Sequence, residues 1–116
     1  MLLVCRFAPA DAEDAFLTRA RRAVTLLGAQ PGCRSVELGR ATEDPGRWVL
    51  VASFDSFTAY RRALGPFDVR EHVVPFLSEA LADEPAAFER RLAADGDGLV
   101  EHESLLTDRP PDRPAR

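Results

Sequence analysis

Two histidines, one tyrosine and two cysteines are the side chains of this 116-residue sequence best suited to chemistry near neutral pH. An imidazole exchanges protons near neutrality, which makes His72 the candidate general base. Tyr60 could hydrogen-bond a substrate oxygen and completes a candidate catalytic pair. The plainer alternative for His72 is a partly exposed histidine in an irregular helix. For Tyr60 it is a core aromatic with its hydroxyl at the rim. His102 falls in a distal arm, where a surface role is expected.

Arg6 and Arg62 could pair with an anionic substrate, although arginine stems commonly just lie along a surface. Cys5 is a candidate pocket-lining residue, and nothing beside it in sequence marks a low-pKa thiol. Cys5 and Cys33 are far apart and show neither CxxC nor Cys/His ligand spacing. Two reduced thiols in a cytoplasmic protein, and no metal site, are therefore expected.

Composition narrows the partners. All fifteen basic residues are arginine, and the net charge is −4, which speaks against a broad attraction to nucleic acid. The apolar opening MLLVC is broken by Arg6, and no run approaches the ~20 apolar residues of a membrane span. Neither nucleic acid nor membrane is an expected partner.

The elements that must carry these residues centre on the stretch DPGRWVLVASFDSFTAY, Asp44 to Tyr60. Asp44-Pro45-Gly46 is turn chemistry. The following run from Trp48 to Phe54 has no fully polar face, as expected of a central strand covered on both sides. Residues 1–7 read as an inner strand. Asp11 is the expected N-cap of a helix whose apolar stripe is Phe16, Ala20, Ala23 and Leu27, ended by Gly28 and Pro31-Gly32. Residues 33–40 give a second strand, with Gly39 suggesting a bulge or close backbone approach. A hairpin then leads into the central strand.

Ser56 caps the next helix, which Gly65-Pro66 interrupts and Pro75 must kink or restart. Residues 88–92 resemble a half-exposed strand, and Asp95-Gly96-Asp97-Gly98 is a strong turn into residues 99–106. One domain over 1–106 is expected, with 107–116 a flexible Pro- and Arg-rich tail. The order β-α-β-β-α-β is the α+β, ferredoxin-like arrangement: an antiparallel sheet with two helices on one face. The other face would need a second copy to cover it, so a homodimer is expected, with Trp48 in its core.

The string PGCRSVELGRATEDPGRWVLVASFDSFTAYRRAL resembles the antibiotic biosynthesis monooxygenase family of dimeric α/β barrels. The resemblance rests on Pro31-Gly32-Cys33, Asp44-Pro45-Gly46-Arg47, the strand Trp48–Phe54, Asp55-Ser56 and Ala59-Tyr60. It spans roughly residues 1–92, and these motifs are fold signatures more than catalytic ones.

The resemblance implies a cofactor-independent monooxygenase-like protein acting on a small aromatic or quinol-type substrate. Its candidate site then comprises His72 and Tyr60 as catalytic residues, with Cys5, Phe54, Phe67 and Arg62 lining the substrate. Two alternatives stand beside it: a haem-binding or haem-degrading relative with His72 as ligand, and a non-catalytic dimeric module for a small hydrophobic or aromatic ligand. Three positions depart from the family pattern. Phe54 stands where Trp is common, Ala63 where His is frequent, and Cys5 nearest a first-strand Asn that this Asn-free chain lacks.

Overall fold

The computed structural model describes residues 1–106; the expected tail, 107–116, lies outside the described residues. Alternation along β3, Trp48–Phe54, sets the architecture: Leu50, Ala52 and Phe54 are fully buried, while Val51 between them is 39 % exposed. On one side β3 pairs antiparallel with β1, Leu2–Phe7, from Leu2 opposite Ser53 to Phe7 opposite Trp48. On the other it pairs with β2, Cys33–Arg40, closing the expected hairpin with Arg40 opposite Trp48. Gly39 pairs regularly with Val49, so it is not a bulge; the register shift falls between Cys33 and Ser35.

Helix α1, Glu13–Gly28, buries Phe16, Ala20, Ala23 and Leu27, the stripe that the spacing predicts. Its N-cap is Ala12, not Asp11. The Asp11 carboxylate is drawn instead to the Arg19 guanidinium at 2.7 Å, which also grips Glu79 at 2.8 and 2.9 Å. The hydrogen bond from Arg19 holds the Asp11 carboxyl below its usual range.

The second helical region is three short pieces: α2, Phe57–Ala63, α3, Phe67–His72, and α4, Val74–Leu77. The Ser56 hydroxyl accepts from the Ala59 amide at 3.0 Å, as its type predicts. Pro66 is the N-cap of α3, and Pro75 sits in the first turn of α4, where a missing N–H costs nothing. Phe7, Phe16 and Phe76 stack between helices and sheet with ring centroids 4.8 to 5.7 Å apart.

Chain order and pairing give the sheet β2-β3-β1-β4, so the fold is ferredoxin-like. The last strand differs from expectation. Only Ala87–Phe88 forms β4, against Leu2 and Leu3 at the β1 edge. Glu89, Arg90 and Arg91 leave the ladder, because Arg90 turns its guanidinium onto the Ser53 hydroxyl and the Met1 carbonyl. Strands β5, Leu92–Asp95, and β6, Gly98–Glu101, then make a separate two-stranded ribbon about the expected turn.

Candidate functional site

The helix-facing row of β1 carries Cys5, that of β3 carries Phe54, and α2 lays Tyr60 over them. The Ser56 cap fixes the phase of α2. The close packing of Gly32 on Ala59 fixes its distance: Gly32 has φ +85°, and a Cβ there would lie 2.7 Å from the Ala59 Cβ. The backbone continues the link, with the Asp55 amide donating to the Gly32 carbonyl at 2.8 Å and Arg34 bound to the Asp55 carboxylate at 2.6 Å. Pro31-Gly32-Cys33 and Ala59-Tyr60 are thus two halves of one contact.

Phe54 and Tyr60 meet edge to face, ring centroids 5.3 Å apart. Burial pushes the Tyr60 phenol above its ordinary pKa, and the neighbouring Cys5 adds a smaller push in the same direction. Burial likewise raises the Cys5 thiol, which is 4 % exposed. Both groups stay protonated at neutral pH. Neither is a nucleophile or a base there, but a protonated phenol in apolar surroundings can donate a strong hydrogen bond to a substrate oxyanion.

Cys5, Phe54 and Tyr60 therefore come together, and the other expected residues do not join them. His72 lies in an outer cleft between α1 and α3 with Arg22, Thr25, Leu26 and Asp68. Its Nδ1 is 3.2 Å from an Arg22 guanidinium nitrogen, and its Nε2 is 3.4 Å from Glu71 Oε1. Arginine can only donate, so Nδ1 accepts and Nε2 carries the proton. Haem ligation needs a free ring nitrogen and an apolar slot; with both nitrogens facing charged partners, the residues around His72 do not fit a haem. Among the described residues no cluster of three His, Cys, Asp or Glu could hold a metal ion.

Arg62 borders a different cleft, with Gln30, Pro31, Gly32, Ala59, Ala63 and Pro66. Phe67 begins α3 and is 67 % exposed. Trp48 is not on the uncovered sheet face where a dimer core would place it. It packs on the helix side against Phe16, centroids 5.3 Å apart, with the Arg40 guanidinium 4.9 Å over its ring. Two structural roles escaped the sequence: Gly32 against Ala59, and Arg90 across to Ser53. The first had a signal, a Gly in a Pro-Gly turn; the second, joining residues distant in the chain, had none.

No helix among the described residues is long and apolar enough to cross a membrane. Among curated proteins none matches the sequence. Solved structures do match in fold. SnoaB, a cofactor-independent oxygenase from Streptomyces nogalater, is 22 % identical with a TM-score of 0.61, over 92 % of this chain and 96 % of SnoaB. Rv0793 from Mycobacterium tuberculosis is 26 % identical with a TM-score of 0.58, over 74 % and 86 %. A conserved protein from Methanosarcina mazei Go1 gives 15 % and 0.60, over 72 % and 82 %. The model of the family described as antibiotic biosynthesis monooxygenase matches residues 4–73, the stretch from β1 through α3 that holds Cys5, Phe54 and Tyr60. The chain belongs to the antibiotic biosynthesis monooxygenase family.

Proposed function

We propose that this protein is a cofactor-independent monooxygenase-like enzyme acting on a small aromatic or quinol-type substrate, working as a cytoplasmic homodimer. Membership of the family and the fold likeness to SnoaB, a cofactor-independent oxygenase, support this. The observation that carries it is the part-buried Tyr60 phenol packed edge to face on Phe54 beside Cys5. Oxygenation without a cofactor draws its electrons from the substrate, so the substrate must first become an anion.

In this scheme the Tyr60 hydroxyl donates to the substrate oxygen and stabilises the negative charge as the substrate gives up its proton to water. The resulting carbanion bonds one atom of dioxygen. The peroxide takes up a proton; the same carbon then gives up its second hydrogen as a proton while the O–O bond breaks, one oxygen remaining on carbon as a carbonyl and the other leaving as water. Phe54 and Cys5, packed behind the phenol, make its surroundings apolar, which leaves the anion poorly hydrated and raises its reactivity.

Oxygen uptake with simple quinols under air tests this. Tyr60→Phe should lower kcat/KM by about a hundredfold, the usual cost of losing one oxyanion donor. His72→Ala should leave it nearly unchanged. The reverse pattern would return the role to His72 as base, and uptake undiminished in both variants would remove both residues from the chemistry.

One observation favours a second reading, a non-catalytic module for a small aromatic ligand. The space between helices and sheet is filled by Phe7, Phe16, Phe54, Phe76, Leu27 and Leu50, all nearly inaccessible. Saturable quinol binding without any oxygen consumption would decide for that module.

A further inference from the structure

We infer that the cleft at the end of the sheet, where β1 finishes and β3 begins, is a second ligand site that binds a small aromatic carboxylate. It measures about 270 Å³ and is lined chiefly by Arg6, Phe7, Arg40, Arg47, Trp48 and Val49. That lies just below the ~300–1,000 Å³ of sites for drug-sized ligands, so it suits one ring and an acid group rather than a fused polycycle. None of Cys5, Phe54 and Tyr60 lines it.

The cleft combines a fixed wall with two loosely paired cations. Trp48 is wedged against Phe16, and Arg40 is held over the indole by Glu13 at 2.9 Å and the Pro45 carbonyl at 2.8 Å. Trp48 and Val49 supply apolar surface for a ring, with Phe7 buried behind them. This wall is in place before a ligand arrives, so little ordering is needed on binding.

Arg6 and Arg47 are different. Their nearest carboxylates, Glu84 and Asp44, stand at 3.7 and 3.8 Å, and all four side chains are 45 % to 63 % exposed. Ion pairs so long and so wet contribute little, and either guanidinium can turn from them at small cost. A planar carboxylate entering the cleft offers each a fork-shaped partner in a drier place. The ring selects for aromatic character and the two arginines select for the acid.

The test is titration of the full chain with benzoate, followed by calorimetry and by the fluorescence of Trp48, the only tryptophan. Benzoate should bind saturably, and benzamide, equal in shape but uncharged, about tenfold more weakly, the usual scale for one lost charged hydrogen-bonding partner. Arg6→Gln and Arg47→Gln should each weaken benzoate to a similar degree; both side chains are exposed, and circular dichroism checks that the variants fold. Tyr60→Phe should leave benzoate binding unchanged, so this site and the oxygenase assignment can fail separately. Equal binding of benzamide, undiminished binding in both arginine variants, displacement by an equal concentration of inorganic phosphate, or no saturable response at millimolar benzoate would each overturn the proposal.

Discussion

At the scale of single residues, two protons are kept where the free side chains would lose them. Burial raises both Cys5 and Tyr60. The unfolded chain ionises these groups first, at about 8.5 for a thiol and about 10 for a phenol, so stability is full below those values and declines as pH rises through them. The urea midpoint should therefore fall above neutral pH, and Tyr60→Phe should flatten the decline above about pH 10. An equally steep decline in that variant would mean the phenol is as solvated folded as unfolded. His72 shows why residue type alone was insufficient. Its candidacy as base rested on its chemistry, but the direction it faces depends on the helix breaks at Gly65-Pro66 and Pro75, and phase does not extrapolate across a break.

At the scale of elements, the contact between the β2 entry turn and α2 is the one that tolerates least change. Gly32 combines positive φ with a Cβ position already filled by Ala59. Gly32→Ala should cost about 2–4 kcal/mol, backbone strain and overpacking together, measured by urea denaturation. A loss within experimental error would show that the turn relaxes freely. The first three strands, the capping of α2 by Ser56 and the break at Pro75 were legible, because each follows from local pattern or turn chemistry. The start of α1 was not, since Asp11 is claimed by Arg19 from the next turns of the helix. The last strand shrank to Ala87–Phe88 because Arg90 finds its partners far back in the chain. The grouping of Cys5, Phe54 and Tyr60 was legible for the same reason, since they sit on regular elements, while Arg62 and Phe67 flank the irregular Gly65-Pro66 break.

At the scale of the whole molecule, helices cover one sheet face, and among the described residues none covers the other. On the uncovered face Val51 is 39 % exposed and lies opposite Val4 and Glu37 in the register. We propose that two copies stack the Val4, Glu37 and Val51 part of these faces, leaving Arg6 and Val49 at the sheet's end open, which explains why β3 carries no fully polar row. Val51→Glu should then shift the protein from dimer to monomer at micromolar concentration by sedimentation while leaving the protomer folded. A native protein that already sediments as a monomer would sink the stacking.

Among the described residues the β5–β6 ribbon shares no ladder with the main sheet, and a side chain added at Gly96 would meet no atom within 4 Å. Nothing at that tip has to move aside for extra chain. It is thus the natural splice point for an affinity peptide, a dye or a tether to a solid support. The Tyr60 phenol and the Trp48 cleft both lie on other elements, so a label at that tip is attached to neither.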